Sequence, residues 1–366
     1  MRVLQVTPTF FPEVGGIETV IEELTNQLTA QHIESEIAYV STSHKKFRAV
    51  TNDSKRVWQI PLVGGRLFGL APRLVDVVRQ FDLIHVHDPQ LAAITANVVL
   101  FGAGKPAVLS THGGYHHTKR FAYWKRAHER VLLRSALNVY ESVLASSASD
   151  YAHFSQFSSR VVLCPNGVNV DRFRLPLRTS ARANRWIYWG RLSKNKRLDQ
   201  VIACVAQARR AGFDVDLCIC GPDFDSIGDD LLCQIMTEGL GEYVQVKPFL
   251  PIESLKDELA KRTVFITASE HEGFGLSIVE AMAAGCLIVC RDLPPLNNFV
   301  KAGLNGIFLQ FDGTSDDRAR LTALLLMEES AVARGSQISQ ERAASYGWES
   351  AITAFIDSYR EALAER

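Results

Sequence analysis

The chain has 366 residues, 47% of them hydrophobic, and its 40 Lys/Arg balance 40 Asp/Glu to a net charge of zero. That length suggests about two domains with ordinary cores, and the balance excludes an obvious nucleic-acid binder. Its seven cysteines form no CxxC pair and mostly sit in apolar runs, which excludes a disulfide scaffold and suits buried thiols of a reducing compartment.

The opening Met-Arg-Val-Leu-Gln-Val-Thr-Pro reads as a short strand, Val3–Thr7, running into a turn, without the apolar core of a secretion signal. No apolar run approaches the roughly 20 residues that span a bilayer. The expected location is cytoplasmic, with a peripheral place on the cytoplasmic face of the inner membrane left open. Gly15-Gly16 then precedes the amphipathic stretch Glu18–Ala30. Strands are expected at Ile37–Ser41, Val57–Pro61, Leu83–His87, Ala107–Thr111 and Val139–Ala145, with Val161–Cys164 closing this half. Apolar, β-branched runs alternating with helices predict a parallel sheet covered on both faces.

Pro165-Asn166-Gly167 is a turn signal, after which the pattern restarts. Trp186–Trp189 reads as a strand followed by Gly190-Arg191, and Arg197–Ala211 as a helix stopped by Gly212. Strands follow at Leu217–Cys220, Val244–Val246, Val264–Thr267, Leu287–Cys290 and Gly306–Leu309, and Trp348–Ala364 is a last amphipathic helix. The expected division is 1–167, 168–347 and a helical tail 348–366 that is a candidate for packing back on the first domain. Residues 1–167 hold 17 Lys/Arg and 13 Asp/Glu, so the rest carries the compensating four negatives. Ligands of such sheets sit at the carboxyl ends of strands, here expected in a cleft between the domains.

The most informative stretch runs from Ser269 to Gly285. It places Glu272 and Glu280 on either side of the turn Gly273-Phe274-Gly275-Leu276, which opens a helix. A helix N-terminus offers unpaired N–H groups and partial positive charge to a phosphate, and glycines let a ligand approach the backbone. Carboxylates accept hydrogen bonds from sugar hydroxyls. A phosphate seat between two hydroxyl acceptors fits a nucleotide sugar better than a capped core helix with two solvated glutamates.

The order Gly15-Gly16, His112, Asn166-Gly167-Val168, Gly190-Arg191, Lys196 and Glu272 to Glu280 resembles the retaining glycosyltransferases of the GT-B fold, family 4 type. Within them it is most similar to the α-mannosyltransferases of xanthan- and acetan-type exopolysaccharide synthesis, through Ser110–Thr118, Glu272–Gly275 and Arg291–Pro295. The resemblance covers nearly the whole chain. It implies an α/β fold of two Rossmann-like, doubly wound domains facing across a cleft. The first would take the acceptor and the second the nucleotide-sugar donor. It also implies transfer of α-mannose from GDP-mannose to a lipid-linked, polyprenyl diphosphate oligosaccharide. No cofactor, metal site or essential divalent ion is expected.

Arg191 and Lys196 follow the strand that opens the second domain, where two cations can neutralise a diphosphate leaving group. The resemblance assigns them that role and gives Gly15, Gly16 and Ser147 to donor contact. It departs at Arg197, where many relatives carry glycine. His112, at a strand end before Gly113-Gly114, can hydrogen-bond the transferring sugar, and Glu272 and His112 are the catalytic candidates. By their order Glu272 holds the sugar or its leaving side, and Glu280 the ribose. Glu272 as a covalent nucleophile stays open beside same-face attack.

Tyr115–Arg134 mixes six Lys/Arg with aromatics and one glutamate. Lys119, Arg120, Tyr123, Trp124, Lys125 and Arg126 are accordingly candidates for an acceptor or membrane surface, against a solvated helix with core-facing aromatics. Asp223-Phe224-Asp225 spells a metal-binding DxD but is read as a surface loop. His85, His87, His112, His116 and His117 match no structural zinc spacing. The rivals are a UDP-sugar donor on the same fold, a nucleotide-sugar epimerase, and a nucleotide-binding subunit without turnover.

Overall fold

The computed structural model describes residues 1–11, 15–52, 55–65, 68–87, 93–113 and 133–365. They divide into one compact unit of Met1–Gly167 with Trp348–Arg366 and another of Val168–Gly347.

Among the described residues the first unit holds an eight-stranded sheet of β1 (Arg2–Thr7), β2 (Glu34–Ser41), β3 (Arg48–Asn52), β4 (Lys55–Pro61), β5 (Leu83–Val86), β6 (Ala107–Ser110), β7 (Ser142–Ala145) and β8 (Val161–Leu163). Its order is β3-β4-β2-β1-β5-β6-β7-β8, parallel except for the β3/β4 pair. Val6 aligns with Val86, Val86 with Leu109, and Leu109 with Val143. The segments that follow β5, β6 and β7 therefore leave one edge of the sheet side by side. The helix Gly16–Ala30 buries Val20, Ile21, Leu24 and Leu28, the stripe its 3.6-residue period predicts. The helix Trp348–Ala364 covers β6 and β7 of the same unit. Gly167 seats its first residue, since a Cβ there would lie 2.3 Å from the Trp348 ring.

The second unit is a six-stranded, all-parallel sheet of β9 (Arg185–Trp189), β10 (Asp216–Cys220), β11 (Val244–Lys247), β12 (Val264–Ile266), β13 (Leu287–Cys290) and β14 (Gly306–Phe308). Its order is β11-β10-β9-β12-β13-β14. Every residue of β12 and β13 is buried, because helices cover both faces. Strand order reverses between β9 and β12, the place where such sheets open a crevice at their carboxyl ends.

Three expectations change. Arg48–Asn52 carries no strand pattern in the sequence, yet these residues pair antiparallel with β4 at the sheet edge. An edge strand bonds on one side only, so polar Arg48, Thr51 and Asn52 carry no apolar signal. The strand expected from Val139 starts at Ser142, because the amides of Val139 and Tyr140 bond back to Ala136 and Leu137 and close the preceding helical turn. The helix expected from Arg197 starts at Leu198, since Arg197 has φ of 48°, outside helical geometry.

Candidate active site

In the second unit β9 and β12 are hydrogen-bonded neighbours, so the segments leaving their carboxyl ends meet. Lys196, in the 3-10 turn Lys194–Lys196 after β9, places its Nζ 2.5 Å from Oε1 of Glu272, and both side chains are only 14% exposed. The same Oε1 accepts the Ser269 hydroxyl at 2.8 Å. The two segments are tied twice more, by Glu270 N–H to the Asn195 carbonyl at 2.9 Å and by an Arg197–Glu270 ion pair at 2.7 Å. Arg197 also pairs with Asp199 at 2.9 Å. Its left-handed backbone is the conformation glycine adopts freely, and here the two ion pairs accompany it.

After Glu272 the chain turns through Gly275, with φ of 98°, into the helix Leu276–Ala283. A Cβ at Gly275 would come within 3.2 Å of Phe299. Among the described residues no acceptor receives the N–H groups of Gly273, Phe274, Gly275, Leu276 or Ser277. These amides lie at the positive end of the helix dipole and form a seat for an anion. The Phe274 ring is buried against Phe299 and Tyr346, so Phe274 offers a ligand its backbone and not its ring. Leu276 packs against the core. Glu280, one turn along the helix, accepts the Trp189 indole N–H at 2.9 Å and remains half-buried. Arg191 is exposed, with its guanidinium 5.0 Å from the Phe224 ring centroid.

In the first unit His112 follows β6 with φ of 49°, and its Nε2 lies 2.8 Å from Nδ1 of His87. Burial pushes the His112 imidazole down to about 4 and holds His85 and His87 well below the ordinary histidine range. Asp150 fixes the turn, as its Oδ2 accepts the Gly113 N–H at 2.8 Å and the hydroxyls of Thr111 and Ser146. Ser147 is the N-cap of the helix Ala148–Phe154 and is 5% exposed, with its Oγ accepting the Asp150 N–H at 3.2 Å. Gly15 is the N-cap of the helix Gly16–Ala30, in extended conformation. Lys119, Arg120, Tyr123, Trp124, Lys125 and Arg126 lie outside the described residues, as do His116 and His117.

The structure thus brings Lys196, Glu272 and the Gly273–Leu276 turn together within the second unit. It adds Trp189 and Ser269 there, and Asp150, His87 and Gln5 around His112. From sequence Trp189 is legible only as part of a strand, and Asp150 and Gln5 carry no expected role, because their partners lie 91, 37 and 82 residues away. Asp223 and Asp225 spend carboxylate oxygens on the backbone amides of Ile227, Gly228 and Lys194, as turn residues do. Among the described residues no group of three or more His, Cys, Asp or Glu is arranged around a common metal position.

Comparison with known proteins agrees with this architecture. The Glycosyltransferase Family 4 model matches residues 14–172, and the Glycosyl transferases group 1 model matches residues 171–342. The chain is 27% identical over 371 residues to the GDP-mannose:cellobiosyl-diphosphopolyprenol alpha-mannosyltransferase of Xanthomonas oryzae pv. oryzae, covering 99% of this chain and 97% of that protein. A protein of the same name from Komagataeibacter xylinus is 26% identical, with 99% and 94% covered. Among solved structures, sucrose-phosphate synthase from Thermosynechococcus elongatus superposes with a TM-score of 0.79 at 17% identity, covering 100% of both chains.

Proposed function

The chain belongs to the GT-B glycosyltransferases of family 4 type, and on that premise we propose that it transfers α-mannose from GDP-mannose to a polyprenyl diphosphate-linked oligosaccharide, with retention, in exopolysaccharide synthesis. The observation that carries the donor half is the row of unpartnered amides from Gly273 to Ser277 beside the Lys196–Glu272 pair. The amides and Lys196, with Arg191, bind and neutralise the diphosphate as it leaves, and need no divalent ion for it. Glu272 holds the mannose hydroxyls and Glu280 the ribose. His112 contacts the transferring sugar. The acceptor hydroxyl attacks on the face from which the diphosphate departs, and a diphosphate oxygen takes its proton. Curated relatives matched over nearly their full length and named for GDP-mannose and a cellobiosyl-diphosphopolyprenol support the donor and acceptor classes.

The acceptor belongs to the first unit, with the basic and aromatic residues Lys119, Arg120, Tyr123, Trp124, Lys125 and Arg126 meeting the lipid diphosphate at a membrane surface. No described helix is long and apolar enough to cross a membrane. As part of the same proposal, attachment is peripheral and on the cytoplasmic face.

Isothermal titration with GDP, GDP-mannose, UDP, UDP-glucose and UDP-N-acetylglucosamine in the presence of a chelator tests the donor. Tight binding of GDP and GDP-mannose is expected, followed by mannosyl transfer to a cellobiosyl lipid diphosphate. Preference for uridine compounds would overturn the mannose assignment while keeping the fold.

A further inference from the structure

Gln5 has no exposed surface, yet it lies in β1 at the centre of the first unit's sheet. Its amide joins a chain of polar groups that runs from the half-buried Ser35 to the half-buried His112. Gln5 Nε2 donates to the Ser35 hydroxyl at 3.1 Å. Its Oε1 lies 2.7 Å from His87 Nε2, and His87 Nδ1 lies 2.8 Å from His112 Nε2. The neighbouring His85 is engaged at both ring nitrogens, by Ser110 and by Tyr359, each at 2.8 Å.

The protons in this chain can be counted. The Gln5 amide nitrogen is a donor only and faces the Ser35 hydroxyl, while the amide oxygen faces His87. That oxygen accepts and cannot donate, so it requires a proton on His87 Nε2. Burial keeps His87 neutral, so its Nδ1 is a bare acceptor. His112 must then supply the proton between the two rings from its own Nε2.

We propose that Gln5 and His87 are positioning residues that lock His112 in the Nε2–H tautomer. His112 thereby presents an unprotonated Nδ1 that accepts a hydrogen bond from a ligand hydroxyl and donates none. The left-handed backbone at His112 and the hold of Asp150 on the Thr111–Gly113 turn fix the ring's origin, while the Gln5–His87 chain fixes its polarity. That the ligand hydroxyl belongs to the transferring sugar rests on the function proposed above; the tautomer does not.

The test is the imidazole nitrogen spectrum of the full chain labelled with 15N-histidine, taken without ligand between pH 6.5 and 8. His112 is identified by the resonances missing from His112→Asn. The expected result is a pyrrole-like Nε2 and a pyridine-like Nδ1 for His112, unchanged across that range. A protonated Nδ1, or averaged resonances of two interconverting tautomers, would overturn the proposal even if the chain proves to be a mannosyltransferase. In folded Gln5→Leu or His87→Phe, confirmed by an otherwise conserved spectrum, the His112 resonances should move toward the averaged position. Unmoved resonances would sink the relay. With the donor, a sugar whose contacting hydroxyl is replaced by fluorine should lose roughly tenfold in kcat/KM on the native protein, about the worth of one hydrogen bond, and nothing further on His112→Asn. A full loss on both proteins would detach His112 from that hydroxyl and leave the tautomer result intact.

Discussion

Replacing Glu272 by glutamine changes a single atom type at the junction of the two segments that build the donor seat. The Lys196–Glu272 pair at 2.5 Å, with both side chains 14% exposed, has a gross attraction of roughly 7 kcal/mol at an effective dielectric near 20. Removing two charges from water returns most of that. What remains is the coupling, on the order of 1–3 kcal/mol for charges in direct contact. Glu272→Gln should therefore lower unfolding stability by about 2 kcal/mol, softened because the amide oxygen still accepts from Ser269 and Lys196.

The kinetic consequence separates the two roles open to Glu272. As a holder of sugar hydroxyls, it can be replaced by another acceptor at the cost of its charge, so kcat/KM should fall roughly tenfold to a hundredfold. As a covalent nucleophile it cannot be replaced by an amide at all. Urea unfolding of Glu272→Gln, Lys196→Met and the double variant reads the coupling, and transfer kinetics with intact-protein mass spectrometry read the role. A coupling indistinguishable from zero would refute the ion-pair reasoning. Loss beyond about ten-thousandfold, with a mannosyl adduct on the native protein, would refute the holder role.

Three further outcomes are expected. Gly275→Ala should cost about 1–2 kcal/mol for left-handed backbone, with φ of 98° and Phe299 forced to yield to a Cβ at 3.2 Å, and it should weaken GDP binding by titration; unchanged stability and affinity would contradict the turn geometry. Arg197→Gly should change urea stability by less than about 1 kcal/mol, since relief of a φ of 48° offsets two half-exposed ion pairs; a loss above about 2 kcal/mol would mean the side chain carries more than those pairs. For pH, the unfolded chain protonates His112 near 6.5, whereas the folded chain resists until about 4. Stability is therefore complete above pH 6.5 and falls as pH drops toward 4, by about 3 kcal/mol for His112 alone, with His85 and His87 acting in the same direction. Urea midpoints at pH 7, 5.5 and 4.5 should show this slope, and His112→Asn should flatten it; an equal slope in both proteins would exclude His112 as its source.

Legibility in the sequence followed burial on two faces. β5, β6, β12 and β13 read as strands because each is an apolar run whose residues are all buried, and the amphipathic stripe of Trp348–Ala364 gave that helix to the residue. β3 was illegible because an edge strand has no such pattern. The Gly275 turn and the two glutamates were legible because the whole signal is local: a left-handed glycine, a helix start, and two carboxylates eight residues apart on one segment.

The rest of the site depends on strand order, which no local window contains. Lys196 meets Glu272 across 76 residues because β9 and β12 became neighbours, and Gln5 reaches His87 across 82 because β1 pairs with β5. The contrast between Ser147 and Gln5 shows what is lost. Ser147 stands at a position the family resemblance marks, and its hydroxyl is taken up in capping a helix. Gln5 stands in the middle of a strand where periodicity predicts an apolar side chain. A polar residue that breaks a buried strand pattern must find partners for every donor and acceptor it brings. Tracing those partners leads from β1 through His87 to the one imidazole placed at the end of β6. The mismatch at Gln5 was visible in the sequence from the start, and only the fold supplied the partners that give it meaning.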